Sequence, residues 1–212
     1  MSRALALAAL VTAGLLPLTA TASSATVPPA NRVLASNLPT VAQVAAAYPG
    51  LHDGHRYDQG DAHTSKRGND CLSWVDGPRA ASGKWAFYTD AGDQSPYFLG
   101  QADPVVFVWK YATPAKARNA FEVIWRAQRD CFGTAGDADL TVESHRVPVP
   151  DLAAGSRGWR SHESQSVSDD HVLTQLTRKG SYLVETRVQA PGFVPAKAPL
   201  VQLTRTTLRR LP

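Results

Sequence analysis

An apolar strand runs directly into the clearest helix of the chain, and this junction constrains the fold more than any other feature. The stretch VVFVWKY (Val105 to Tyr111) is apolar at successive positions as far as Lys110, which is typical of a central strand covered on both faces. Thr113 suits the N-cap of a helix and Pro114 its first position. Gly133 can adopt the left-handed conformation that ends a helix. The pattern predicts a long helix packed on a sheet.

The predicted helix carries one apolar stripe that ends in a cysteine. Its members recur at three- and four-residue spacing: Ala117, Phe121, Ile124, Gln128 and Cys131. The chain has 2 cysteines, and an isolated pair in an exported protein is most simply a disulfide. A reactive thiol is the alternative, but neither cysteine has a CxxC partner or a neighbouring histidine in sequence. We therefore expect a Cys71–Cys131 disulfide that fastens the helix end to the segment around Cys71.

Most of the remaining pattern predicts strands. They are KWAFYTD, LTVESHRVPV, GWRSHESQ, HVLTQLT and SYLVETRVQ, the last two joined by a tight RKG turn. Shorter helices are predicted over Pro39 to Tyr48 and Leu200 to Leu211, and residues 51–70 predict a long polar loop. The order of elements predicts an α+β fold, a single domain in which helices pack on one face of an antiparallel sheet.

The N-terminus has the pattern of a secretory signal. Arg3 is followed by the apolar stretch Ala4 to Leu18 and by the small residues Ala20-Thr21-Ala22. We expect a signal peptide over 1–22 with cleavage near Ala22, a flexible linker over 23–33, and the folded domain over 34–212. The apolar stretch is too short for a lasting membrane span, so we expect an extracellular, secreted protein without stable membrane insertion.

Charge excludes one class of partner. The chain has 22 basic and 18 acidic side chains, and removal of Arg3 with the signal peptide leaves 21 − 18 = +3. No basic stripe or aromatic platform motif accompanies this small excess, so we expect no nucleic-acid partner.

Several of these patterns together resemble a known family. The strand VVFVWKY, the helix TPAKARNAFEVIWRAQRDC and the later strands of VLTQLTRKGSYLVETRV are similar to the PknH-like extracellular domain of actinobacterial secreted proteins, lipoproteins and sensor kinases. The resemblance covers roughly 34–211. It implies a sheet with packed helices bordering a cleft, and a role in ligand sensing rather than catalysis.

The chain also departs from this family. The family prototype carries two disulfides, whereas the cysteines here allow one. The sequence has no kinase domain and no membrane span, so we expect any sensing output to require a separate partner. No functional residue carries over, because the family has no short ligand-binding signature to match.

An aromatic row is the candidate ligand-binding site. Phe107, Trp109 and Tyr111 alternate along the central strand and would share one face of the sheet. Such a row suits the wall of a cleft for an unknown small molecule or an envelope lipid or glycan. The alternative is that these rings belong to the core, which a strand apolar on both faces favours.

A histidine- and aspartate-rich run, LHDGHRYDQGDAH at 51–63, raises the question of a metal. His52 and His55 have an H-x-x-H spacing, but zinc requires three or four ligands held on one scaffold. Gly54 and Gly60 and the absence of apolar periodicity favour a solvated loop. We therefore expect no metal and no cofactor, and leave open whether the run binds any metal.

The later histidines raise the question of catalysis. His145, His162 and His171 lie among acids and serines that could in principle form a hydrolytic triad. No serine lies in a G-x-S-x-G motif, so we expect no catalytic residues and a non-enzymatic, sensor-like or ligand-binding protein. A secreted hydrolase with an unconventional Ser/His/Asp site, or a structural protein-interaction module with a protein partner, are the alternatives.

Overall fold

The computed structural model describes residues 32–51, 54–89, 102–166 and 168–212. The expected signal peptide, most of the linker, and His52 and Asp53 lie outside these ranges. The described chain contains three α-helices: α1 (Val41–Ala45), α2 (Pro114–Arg129) and α3 (Lys197–Arg209). Its ten strands are β1 (His55–Gly60), β2 (Ser65–Arg67), β3 (Trp74–Asp76), β4 (Ser82–Thr89), β5 (Asp103–Lys110), β6 (Gly133–Gly136), β7 (Leu140–Val147), β8 (Ser156–Gln165), β9 (Ser168–Lys179) and β10 (Tyr182–Pro191).

Eight of the strands form one antiparallel sheet. Its order is β1-β4-β5-β10-β9-β8-β7-β6, while β2 and β3 pair as a separate small ribbon. The strand β5 lies inside the sheet between β4 and β10, with Trp109 opposite Leu183. The α+β class, the antiparallel sheet and the single domain predicted from the sequence are confirmed.

Helices cover both faces of the sheet, which corrects the expectation that they pack on one. On one face Val106 and Val108 belong to a buried cluster with Leu203 of α3. On the other face Trp109 packs in a second cluster with Phe121 of α2. The physical reason lies in β5 itself, because a strand that is apolar at successive positions has two faces to bury.

The helix α2 begins and packs as its sequence predicts. The Thr113 hydroxyl accepts the Lys116 amide at 3.2 Å and Pro114 takes the first turn. The stripe faces the sheet, and Ala117, Phe121 and Ile124 are buried. The predicted disulfide is confirmed: Cys71 and Cys131 are bonded, with their Cα atoms 5.3 Å apart. It joins the end of α2 to the turn between β2 and β3.

The polar loop predicted for residues 51–70 is wrong, since this segment contains β1 and β2. The strand β1 lies at the edge of the described sheet and pairs with β4, with Tyr57 opposite Phe87. An edge strand satisfies its backbone on one side and exposes side chains to water, so it needs no apolar alternation. His55 and Tyr57 are exposed accordingly.

The first and the last predicted helices both form, but their bounds differ from the predicted ones. Thr40 and Gln43 cap each other reciprocally at the start of α1, and Pro49 and Gly50 follow in a short 3-10 turn. The helix α3 begins at Lys197, three residues before the predicted start at Leu200. Among the helices described, none is long and apolar enough to cross a membrane.

Candidate functional site: an apolar cavity and an aromatic face

A cavity of about 320 Å³ lies between the turn after α1 and the start of α3. Apart from Tyr48, which carries a phenol hydroxyl, every residue that lines it is apolar or glycine: Ala47, Tyr48, Pro49, Gly50, Leu51, Ala102, Phe193, Pro195, Ala196 and Pro199. Small-molecule sites are concave and mostly apolar, with volumes that start at about 300 Å³. The cavity is therefore large enough for a small apolar molecule.

Local sequence shapes both walls of this cavity. On one side Pro49 and Gly50 end the first helix, and the Leu51 amide donates to the Tyr48 carbonyl at 3.0 Å. On the other side Gly192 adopts a positive φ of 72°, which turns the chain after β10 towards Pro195. The prolines hold φ near one value, so the walls are built largely from stiff backbone.

Tyr48 forms the inner wall. Its ring packs against the buried clusters under α3, and its phenol oxygen is out of solvent, with no hydrogen-bond partner in the described part of the chain. Burial raises the pKa of Tyr48 well above its ordinary value. The phenol therefore stays neutral at physiological pH, and the wall of the cavity carries no charge.

The aromatic row expected to bind a ligand lies on the α2 face. The Trp109 indole donates to the His63 carbonyl at 3.1 Å and the Tyr111 hydroxyl donates to the Pro78 carbonyl at 2.9 Å. Both side chains are buried, and burial raises the pKa of Tyr111 to about 12. Phe107 is half-buried and stacks on Trp109 with ring centroids 5.3 Å apart. None of the three lines the apolar cavity, and their assignment as ligand-binding residues stays a prediction.

An arginine–tryptophan cluster, formed by Arg67, Trp74 and Arg187, lies on the same α2 face. The Arg67 guanidinium is 4.2 Å from the Trp74 ring centroid and the Arg187 guanidinium is 4.7 Å from it. Arg67 is buried and pairs with Glu163, while Arg187 pairs with Glu185. Because both charges are compensated, this cluster ties the β2–β3 ribbon to the sheet rather than offering a charged site.

The histidines that raised the question of catalysis lie on β7, β8 and β9. The His145 ring bonds Glu143 at 2.8 Å, and the His162 ring bonds Asp169. The ring of His171 stacks on that of His162 with centroids 4.3 Å apart. Each of the first two thus has a carboxylate partner.

The buried serines of the same strands have partners of their own. The hydroxyls of Ser144 and Ser161 bond each other at 3.0 Å, and the Ser156 hydroxyl bonds that of Thr177 at 2.9 Å. A triad requires a serine hydroxyl that bonds a histidine ring. These three hydroxyls are engaged elsewhere.

The 51–63 run is spread along an edge strand and the loop after it. The side chains of His55 and His63 are exposed, and the His63 backbone amide donates to the Asp61 carboxylate at 2.8 Å. His52 and Asp53 lie outside the described residues. Whether this run binds a metal stays open.

Sequence reasoning missed the cavity. Its walls come from residues 47–51, Ala102 and residues 193–199, which lie up to about 150 positions apart. The one local signal was the Pro and Gly spacing at both walls, which by itself indicates only turns.

Comparisons with known proteins give the fold. The sequence matches no protein-family model and no curated protein. Among solved structures, the extracellular domain of PknH from Mycobacterium tuberculosis matches with a TM-score of 0.58 at 12% identity, over 83% of this chain and 95% of that one. The chain has the fold of the PknH extracellular domain. The expectation of such a fold from sequence is thereby confirmed.

A second solved structure is less similar. An uncharacterized protein from Mycobacterium smegmatis matches with a TM-score of 0.48 at 11% identity, over 84% of this chain and 99% of that one.

Proposed function

We propose that this protein is an exported, non-enzymatic, sensor-like domain that binds a small apolar molecule in the cavity beside α3. The observation that carries the proposal is the cavity of about 320 Å³, whose lining side chains are apolar apart from the Tyr48 phenol. The fold shared with the extracellular domain of PknH supports it.

The lining favours a lipid-like ligand over a glycan. Burial of apolar surface stabilises a complex by about 25 cal/mol per Å², whereas a sugar hydroxyl buried without a partner costs free energy. The residues around the cavity offer no polar side chain except the Tyr48 phenol, whose oxygen faces away from solvent. An acyl chain or similar aliphatic group is therefore the expected occupant.

The rim of the cavity suits such a ligand as well. Phe193 is 37% exposed and Val194 is 49% exposed, so two large apolar side chains lie in water at the entrance loop. An apolar ligand that enters beside them covers surface that is otherwise solvated.

The position of α3 suggests how occupancy would be sensed. Ala196 and Pro199 at its start line the cavity, while Leu203 further along is fully buried against the sheet. The Gln202 side chain also donates to the Ala46 carbonyl at 3.2 Å, which links α3 to the end of α1. A bound ligand would thus contact the helix that packs on β9 and β10, and a separate protein partner would respond to the change.

The test uses N-phenyl-1-naphthylamine, a neutral apolar probe whose fluorescence rises in apolar surroundings. We expect saturable binding with one probe per chain, and displacement by decanoic acid but not by glucose. The change Ala196→Phe fills the cavity entrance and should weaken probe binding at least tenfold. The matched control is Ala198→Phe, at a position near the start of α3 that is also exposed but does not line the cavity.

Two results would contradict the proposal. One is a probe signal that does not saturate. The other is equal affinity in the two variants while circular dichroism shows both to be folded.

A further inference from the structure

Three metal-ligating side chains meet on the β8–β9 hairpin. His162 lies directly opposite His171 across the two strands, and Asp169 lies two residues before His171, on the same face. One ligand atom from each of His162, Asp169 and His171 lies within 4.8 Å of the other two. Asp169 and His171 follow His162 by 7 and 9 residues in sequence (169 − 162 and 171 − 162). The register of the two strands therefore brings the three side chains together.

The register brings the two imidazole rings into contact. The two rings stack with centroids 4.3 Å apart and planes 14° from parallel, and the His162 Nε2 atom bonds the Asp169 carboxylate. Zinc holds imidazole nitrogen at about 2.0–2.1 Å and carboxylate oxygen at about 2.0–2.2 Å. The side chains of His162 and Asp169 are 34% and 58% exposed, so both have room to rotate towards an ion beside His171.

His171 and Asp169 have binding capacity that the described part of the chain does not use. The Nδ1 atom of His171 is out of solvent and has no hydrogen-bond partner in the described part of the chain. Buried ring nitrogens normally bond a neighbour. The Asp169 carboxylate likewise bonds one histidine although a carboxylate accepts up to about four hydrogen bonds.

Charges around the group are mixed, with acids in the majority. Asp170 lies near His171 on the chain, and Glu143 lies directly opposite His162 on β7, where it bonds His145. Arg160 is the cation that acts on His171. On the face of the sheet that carries these three side chains, an ion would therefore meet the carboxylates of Asp169 and Glu143 and the guanidinium of Arg160, which favours a cation.

We infer that His162, Asp169 and His171 form a zinc-binding site on the β8–β9 hairpin. Two imidazoles and one carboxylate favour a borderline transition metal over magnesium or calcium, which prefer oxygen ligands. Three protein ligands leave the fourth tetrahedral position for water or an external group. The site is independent of the proposed function, since none of its residues lines the apolar cavity.

The test is titration of chelator-treated protein with ZnCl₂ in an isothermal calorimeter at pH 7.5. We expect one Zn²⁺ per chain, with affinity unaffected by millimolar Mg²⁺. His162→Gln should weaken binding at least tenfold and Asp169→Asn severalfold. The matched control is His145→Gln, which removes an exposed histidine from the neighbouring strand and should leave the affinity unchanged.

Cobalt provides a second readout that does not depend on affinity alone. Co²⁺ bound by nitrogen and oxygen ligands in a tetrahedral site absorbs strongly in the visible range, and we expect this band in the wild type and in His145→Gln but not in His162→Gln. Circular dichroism of each variant shows whether it is folded.

Four results would overturn the inference. They are the absence of saturable zinc binding, an equal loss of affinity in His145→Gln and His162→Gln, competition by Mg²⁺ at comparable concentration, and retained zinc affinity in a folded His162→Gln variant.

Discussion

Asp70 shows how a single exposed side chain orders the turn that carries the disulfide. Its carboxylate accepts the Leu72 amide at 3.1 Å, the Ser73 amide at 3.0 Å and the Ser73 hydroxyl at 2.8 Å. The hydrogen bonds from Ser73 are the main reason that the pKa of Asp70 lies below its ordinary value of 3.8. The folded state therefore favours the ionised carboxylate of Asp70 over the protonated one.

This lowered pKa gives a pH dependence with a definite sign. The stabilisation is present above the unfolded-state pKa, near 3.8, and is lost as the pH falls below that value through the folded-state pKa. We expect urea unfolding to show a smaller loss of stability between pH 5 and pH 3 in Asp70→Asn than in the wild type. The amide keeps an acceptor oxygen but does not titrate. Identical pH profiles would mean that the carboxylate does not hold this turn.

At the scale of single residues the sequence indicated chemistry but not proximity. His145, His162 and His171 stood out by type, yet only His162 and His171 face each other. Which pair meets depends on the register of β8 against β9, and a shift by one residue would place them on opposite faces. The same limit applies to the cavity, since its walls become neighbours only after α3 has packed on the sheet.

The helix α2 is the element whose sequence and structure agree most closely, and its start can be tested. The Thr113 hydroxyl accepts the Lys116 amide, so Thr113→Ala leaves one amide at the helix start without this partner. We expect a loss of about 1 kcal/mol in the free energy of unfolding. Thr113→Ser retains the hydroxyl and should lose much less, and equal losses in the two variants would contradict a capping role.

Periodicity predicted the inner elements better than the outer ones. The inner elements bury apolar side chains and therefore carry a pattern in their sequence. They are the strands β5 and β7 to β10 and the helices α2 and α3. The strand β1 is held by backbone bonds to β4 at the sheet edge, and these bonds leave no side-chain pattern to read. The helices on both faces follow from the apolar character of β5, which the sequence showed.

For the whole molecule, the disulfide links the two parts of the chain that share the α2 face. It connects the β2–β3 turn to the end of α2 across 60 positions, and the ribbon also contacts β8 through the Arg67–Glu163 pair. Closing a loop of this length restricts the unfolded chain by about 4 kcal/mol on the loop-entropy model. The link therefore acts on the stability of the entire domain.

We expect reduction, or the double change Cys71→Ser with Cys131→Ser, to lower the free energy of unfolding by about 3–4 kcal/mol. Urea unfolding with and without dithiothreitol measures the loss, and the double variant serves as the control because reductant should not affect it. The disulfide lies on the α2 face and does not involve α3. Probe binding in the apolar cavity should therefore persist in the reduced protein as long as it stays folded. Free thiols in unreduced protein, detected by alkylation and mass spectrometry, would show that the link does not form.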